Sequence, residues 1–274
     1  MLNDPILQAM LRGRLPVSLC DYSSYLSQRV YRHLSQVFKY ELSFAELGMT
    51  DHFVLDLVRF SHLVSSSIEV YKTTWPIESV FGNDMDLFVG DGTGQYYWYA
   101  LQAKVMAHNG AFEDLKVKVK GELQQWYKLL LHERLFGSQA CYLLYVGKSK
   151  TNSPTSRPTK TDCHGVAPID DYGLSLVKAE DILKIVTRTT PMKFSEVFPG
   201  YVEPLRSIFC CPPSLPSAMK LSKAQIITPA YQQVYARGKE DERARNHNVS
   251  DYPLSDGAAP VRILIDIIPA GDNS

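Results

Sequence analysis

Acidic, amide and lysine side chains lie close together in two neighbouring segments of this sequence. Asp84 and Asp86 lie in the first segment, and Gln102 and Lys104 lie in the second. Successive side chains of a β-strand point to opposite faces, so each pair would share one face of its strand. A hairpin of the two strands would therefore bring one or two carboxylates, an amide oxygen and an ammonium group close to one another.

Such a group of side chains suits the hydrolysis of phosphodiester bonds. Asp oxygens are hard ligands that suit Mg²⁺, and the side-chain carbonyl of Gln102 would add a neutral oxygen ligand. Metal-bound water is more acidic than free water, and the metal withdraws charge from the phosphate. Lys104 could position or deprotonate the attacking water, or offset the developing negative charge. We expect Asp84, Gln102 and Lys104 to work as one site.

The flanking segments supply the elements that must position these residues. Apolar residues at the helical period predict helices, and short β-type runs with Gly-rich punctuation predict strands and turns. In chain order we expect an N-terminal helix over 23–37, a helix capped by Thr50 or Asp51 and ending near Ser65, strands at 68–71, 85–89 and 96–105, a helix at 116–136 ended by Gly137, and a strand at 140–146. After the N-terminal helix, the order is α, β, β, β, α, β.

Residues 82–86 (Gly-Asn-Asp-Met-Asp), followed by 102–104 (Gln-Ala-Lys), resemble the motif of the PD-(D/E)XK, or restriction endonuclease-like, nuclease superfamily. The αβββαβ order is also the core of that superfamily. The match is to a branch that carries QxK after GxD, as in Mrr-like enzymes, and to bacterial and prophage members with a QAK strand. The resemblance spans about 42–146 and implies an α/β fold in which helices flank a mixed sheet.

The resemblance implies that Asp84 and Gln102 bind Mg²⁺ or Mn²⁺ and that Lys104 is the catalytic lysine. Superfamily members often add a Glu from the first core helix, and Glu46 matches that position best. An alternative explanation of Glu46 is an acid that favours a helix N-terminus. The neutral Gln102 would bind metal more weakly than a carboxylate does.

Two further acids are candidates for the same site. Glu78 lies six residues before Asp84 and is a second candidate catalytic acid. Asp86 is a candidate metal ligand, and the alternative is an exposed acid on a strand. These two residues complete the predicted set of side chains.

The function predicted from this resemblance is a metal-dependent endonuclease that cuts DNA rather than RNA, in phage defence or a mobile element. That setting rests on family analogy. The alternative is a nuclease-fold module that no longer cuts and that binds nucleic acid or protein. Lys plus Arg equals Asp plus Glu, at 29 each, so nucleic-acid contact must be local. A homodimer would suit the cutting of both strands, and an activating protein partner is a further expectation.

The composition indicates a folded, cytoplasmic protein. With 274 residues and 45% hydrophobic residues, the chain can bury a substantial core. Five scattered cysteines do not suggest a secreted disulfide framework, and no apolar run reaches the roughly 18 residues of a membrane span. We divide the chain into an N-terminal helical segment (1–41), a nuclease core (42–147), and a polar loop with a C-terminal extension that packs on the core (148–274).

Two other features have a structural and a functional interpretation. Lys116, Lys118 and Lys120 could contact phosphates, although a solvated helix start is the commoner explanation. The aromatic run 96–99 could stack on bases, but we expect it to pack in the core.

Overall fold

A computed structural model describes most of the chain. The described residues are 18–61, 66–73, 81–113, 115, 124–149, 161–162, 165–185, 191–210, 220–228, 231–236 and 259–266. Glu78, Lys116, Lys118 and Lys120 lie outside this part of the chain. The elements, clusters and contacts of this fold are those of the described residues.

The helices include two long ones near the N-terminus and one that follows the predicted hairpin. The α-helices are α1 Leu19–Lys39, α2 Glu46–Phe60, α3 Gln125–Phe136, α4 Ala179–Ile185, α5 Phe194–Val197, α6 Ser207–Cys210 and α7 Lys223–Ile226, and a 3₁₀-helix covers Ile169–Gly173. In the described part of the chain, no helix has the length and apolar character needed to cross a membrane.

Helix ends follow local sequence in some places and not in others. Ser18 caps α1 by accepting a hydrogen bond from the backbone of Asp21. Gly137 ends α3 with a φ of 70°, as predicted, because glycine tolerates the left-handed region. The predicted start of α2 at Thr50 or Asp51 is wrong. The helix begins earlier, at Glu46, and Ala45 occupies the N-cap without a side-chain hydrogen bond.

Most of the strands belong to one mixed sheet. The strands are β1 Ser67–Thr73, β2 Met85–Gly90, β3 Gln95–Val105, β4 Ala111–Phe112, β5 Gln139–Tyr145, β6 Thr161–Asp162, β7 Gly165–Val166, β8 Leu174–Lys178, β9 Met192–Lys193, β10 Val202–Pro204, β11 Lys220–Ser222, β12 Tyr231–Ala236 and β13 Val261–Asp266. Within the described residues the main sheet has the order β10-β8-β5-β3-β2-β13-β1-β12, and β11 pairs with β3.

Both parallel and antiparallel pairs occur in this sheet. The pairs β3–β5 and β2–β13 are parallel. The pair β2–β3 is antiparallel and forms the predicted hairpin. Helix α2, strands β1, β2 and β3, helix α3 and strand β5 follow one another as predicted, apart from the short β4. The prediction of an α/β fold with a mixed sheet flanked by helices is confirmed.

The region 148–274 does more than pack on the outside of this core. Strand β13 lies between β1 and β2, in the middle of the sheet. Strands β8, β10 and β12 extend the same sheet on both sides. The boundary that we placed at residue 147 therefore does not divide the sheet into separate units.

Two hydrophobic clusters pack against the sheet. The larger one joins α1 and α2 to the central strands, with Tyr22, Leu34 and Leu143 fully buried. The smaller one surrounds Phe88 and Trp98, whose rings stack at 5.5 Å. All four aromatic residues of the run 96–99 are buried, which confirms that they pack in the core.

The cysteines differ in bonding state. Cys141 is free and fully buried, whereas Cys20 at the start of α1 is disulfide-bonded. The odd number and scattered positions of the cysteines did not indicate such a bond.

Candidate active site

The hairpin places Asp84 beside Gln102. The backbone N–H of Asp84 donates to the carbonyl of Leu101 at 2.8 Å, so Asp84 continues the ladder of β2 and β3 by one residue. The Nε2 of Gln102 donates to Oδ2 of Asp84 at 2.7 Å, and the backbone N–H of Ala103 donates to the same oxygen at 2.8 Å. A cross-strand pair thus holds the first two predicted residues together.

The surroundings of the Asp84 carboxyl act on its pKa in opposite directions. Burial raises its pKa above the ordinary value for aspartate. The hydrogen bond from Ala103, the charge of Lys104 and the hydrogen bond from Gln102 each act to lower that pKa, and the effect of burial is the larger. Within the described residues, both hydrogen bonds to Asp84 end on Oδ2, and Oδ1 accepts none.

Lys104 and Glu46 form an ion pair beside this group. The Nζ of Lys104 lies 3.0 Å from Oε1 and 2.9 Å from Oε2 of Glu46. The Lys104 side chain is 4% exposed and that of Glu46 is 32% exposed. Glu46 is the first residue of α2, so the earlier start of this helix is what places its carboxylate against β3.

The structure places Asp86 in a different cluster. Its Oδ2 lies 3.2 Å from Nε of Arg262 and accepts the backbone N–H of Ala259 at 3.3 Å. Its Oδ1 accepts from Nδ2 of Asn83 at 2.9 Å. Because these donors satisfy both oxygens of a fully buried carboxylate, Asp86 serves the packing of β13 on β2 and is not brought to the metal-ligand position that we expected.

Two polar atoms around Asp84 lack hydrogen-bond partners. The Oε1 of Gln102 and the hydroxyl of Tyr142 are both buried, and no group of the described residues satisfies either one. Tyr142 lies opposite Gln102 in the parallel pair of β3 and β5. Burial, followed by the charges of Asp84 and Glu46, raises the pKa of Tyr142, so its hydroxyl stays protonated and able to donate. Unsatisfied buried polar groups are uncommon and favour a functional role here.

A glycine turn and a lysine border the same group. Gly82 has a φ of 74°, a conformation that suits glycine. A β-carbon at Gly82 would lie 3.6 Å from Oε1 of Gln102 and 3.9 Å from Cδ of Lys128 on α3. The Lys128 stem thus lies near Gly82, and Lys128 forms no ion pair within the described residues.

The donor set can be compared with the needs of a metal ion. Among the described residues, no group of three or more His, Cys, Asp or Glu side chains could hold a metal. The oxygens near each other are one carboxylate from Asp84 and the unsatisfied amide oxygen of Gln102, with Glu46 paired to Lys104. Mg²⁺ takes one or two carboxylates together with water and substrate phosphate, so this set fits Mg²⁺ or Mn²⁺ better than Zn²⁺.

The sequence did not reveal two of the residues around this site. Tyr142 belongs to a predicted strand, but its position opposite Gln102 depends on the register of a parallel pair, which no local pattern encodes. Lys128 belongs to a predicted helix, and its approach to Gly82 depends on how that helix packs. Of the predicted residues, the structure brings together Asp84, Gln102, Lys104 and Glu46.

A comparison with known families covers most of the chain. A family model described as "Family of unknown function (DUF6615)" matches residues 19–258. No curated protein and no solved structure matches the chain. The matched range contains the four residues that meet at the candidate site and every described strand except β13. The chain belongs to the DUF6615 family.

Proposed function

We propose that this protein is a metal-dependent nuclease that hydrolyses phosphodiester bonds, with DNA as the preferred substrate. The observation that carries this proposal is the contact of Asp84 with Gln102, beside a buried lysine held by a carboxylate from a neighbouring helix. An acid, an amide and a lysine in this arrangement also match the resemblance of the sequence to the PD-(D/E)XK superfamily.

In this proposal some residues of the site bind the metal ion, and another stabilises the charge of the transition state. Asp84 and Gln102 would hold a Mg²⁺ or Mn²⁺ ion, which when bound acidifies water and withdraws charge from the phosphate. Both oxygens of Glu46 accept from Nζ of Lys104, so this geometry serves the ammonium form of the lysine. Lys104 therefore positions the attacking water and offsets the negative charge of the transition state, rather than removing a proton.

Tyr142 and Lys128 add contacts that suit a phosphate group. The protonated hydroxyl of Tyr142 can donate a hydrogen bond to a phosphate oxygen or to a bound water. The stem of Lys128 lies near Gly82, and in this proposal its ammonium group would contact the phosphate backbone. A local positive charge of this kind suits a protein whose overall charge is balanced. In this proposal a second copy of the chain would cut the opposite strand of a duplex.

A cleavage assay tests this function directly. Plasmid DNA and a mixed RNA pool are incubated with wild type and with Lys104→Met, in Mg²⁺, Mn²⁺ or EDTA. We expect metal-dependent cutting of DNA that falls about 100-fold or more in the variant, because the lysine is needed only where charge develops. The exposed Lys72→Met on β1 is the matched control and should cut as wild type does.

The other outcomes of this assay are equally informative. Cutting that survives EDTA, or that is unchanged in Lys104→Met, contradicts the proposed site. No cutting with either metal, by wild-type protein shown to be folded, favours the module that binds without cutting, and a gel-shift assay with the same DNA then measures that binding.

A further inference from the structure

The turn that carries Asp84 lies just outside the regular strand. Strand β2 begins at Met85, and Gly82, with a φ of 74°, marks the bend that leads into it. The backbone N–H of Asp84 still bonds to the carbonyl of Leu101, so the pairing with β3 extends back to Asp84. Contacts outside this pairing must therefore hold the residues that lead from Gly82 to Asp84.

Asn83 joins this turn to Asp86. Its Nδ2 donates to Oδ1 of Asp86 at 2.9 Å. Asn83 is 1% exposed and Asp86 is fully buried, so water does not compete for this hydrogen bond. Hydrogen bonds to a charged acceptor are also stronger than those between neutral groups. The contact therefore fixes the residue that directly precedes Asp84.

Arg262 fixes the other side of Asp86. Its Nε lies 3.2 Å from Oδ2 of Asp86, and its Nη1 donates to the backbone carbonyl of Ile226. The guanidinium carbon lies 4.1 Å from the centroid of the Tyr231 ring, and Arg262 as a whole is 4% exposed. Three contacts in a buried setting restrict the planar guanidinium to one orientation. Strand β13 therefore sets the orientation of the Asp86 carboxylate.

These contacts form a chain from β13 to the candidate site. Asp84 must be placed closely, because its Oδ2 accepts two hydrogen bonds from β3, one of them from Nε2 of Gln102 at 2.7 Å. Groups of a functional site need to be held within about 0.5 Å of their working positions. We propose that Arg262 and Asn83 act through this chain as positioning residues for Asp84. This inference deepens the proposed function and rests on it for its link to metal binding.

Hydrogen exchange of single backbone amides, followed by NMR in the metal-free full chain, tests this inference. Asn83→Ala removes the Nδ2 donor and leaves the pair of Arg262 with Asp86 in place. The amide of Leu87, in the middle of β2 between β3 and β13, serves as the internal reference. We expect the exchange rate of the Asp84 amide to rise at least about tenfold more than that of Leu87, because the turn opens locally. A general loss of stability would raise both rates by the same factor.

A paired replacement tests the ion pair. Asp86→Leu with Arg262→Met removes both buried charges together, a change that is often neutral for stability, and takes away the acceptor of Asn83. We expect the same selective rise in exchange. Ser175→Ala on β8 is the matched control, since it also removes a buried hydrogen bond, and it should leave the ratio of the two rates as in wild type. If Asn83→Ala does not fold, the paired replacement carries the test. Equal rises at both amides, or unchanged rates, would overturn the inference.

Mn²⁺ binding, measured by electron paramagnetic resonance, separates this inference from the proposed function. We expect Asn83→Ala to bind Mn²⁺ about tenfold more weakly than wild type, because contacts that orient metal ligands commonly matter by about 10–100-fold in metal affinity. Equal affinity of the two proteins would overturn the inference. Absence of Mn²⁺ binding by wild type would contradict the proposed metal site, and the exchange rates of the Asp84 and Leu87 amides would still decide whether Asn83 positions Asp84.

Discussion

The ion pair of Lys104 and Glu46 leads to an asymmetric effect on stability. Removing one partner of a buried ion pair costs about 3–5 kcal/mol, because the other charge remains buried alone. In Glu46→Gln the lysine that remains is 4% exposed, whereas in Lys104→Met the glutamate that remains is 32% exposed. Glu46 also lies in the first turn of α2, where the helix dipole favours a negative charge.

The difference in exposure of the remaining charge allows the loss of unfolding free energy to be estimated for each variant. The Gln side chain still accepts one hydrogen bond, and Asp84 still attracts the lysine, so Glu46→Gln should lower the free energy of unfolding by about 2 kcal/mol. Lys104→Met should lower it by about 1 kcal/mol or less, because the solvent reaches the remaining carboxylate. The double variant removes the charge of both partners of the pair and should resemble Lys104→Met rather than the sum of both changes.

Urea denaturation at pH 7 measures all three variants against wild type. The order of stability, with Glu46→Gln lowest, is the result that matters. Equal costs for the two single variants, or a double variant at the sum of both, would show that Lys104 does not depend on Glu46 for its charge balance. The ion pair with Glu46 would then not explain why a lysine is buried at this position.

Two further predictions concern the acid and the phenol of the site. Burial raises the pKa of Asp84, so its ionised form costs stability at neutral pH, and that cost disappears as the pH falls through this pKa. Asp84→Asn without metal should therefore melt at or above the wild-type temperature at pH 7, and the difference should shrink toward about pH 4; a lower melting temperature at pH 7 would contradict this. Tyr142→Phe removes a buried hydroxyl without a partner, so urea denaturation should show unchanged or higher stability, while cleavage at saturating Mg²⁺ falls about tenfold. Full cleavage by this variant would remove Tyr142 from the proposed mechanism.

Local rules were sufficient to predict the centre of the site. Strand alternation and a Gly-rich turn predicted the hairpin, and a hairpin brings Asp84 to Gln102. The same rules could not predict where α2 begins, because preferred capping residues at 50 and 51 compete with an Ala45 cap that forms no side-chain bond. The helix nevertheless begins at Glu46, and this start brings the Glu46 carboxylate to Lys104.

Long-range pairing explains why Asp86 was misplaced. Alternation predicted that Asp84 and Asp86 share one face of a strand. In the structure β2 begins at Met85, and Asp84 lies just before it, where its carboxylate accepts the backbone N–H of Ala103. The partner of Asp86 is Arg262, 176 residues later in the chain. Neither that pairing nor the insertion of β13 next to β2 has a local signal in the sequence.

The central position of β13 has a consequence for the order of events during synthesis. Domains form as the chain emerges from its N-terminal end, and contacts between distant residues form late. Until residues 261–266 have been made, β2 has an open edge and Asp86 lacks its arginine. Under the proposed function, the sheet that carries Asp84 and Gln102 would therefore reach its final form only after residues 261–266 have been made.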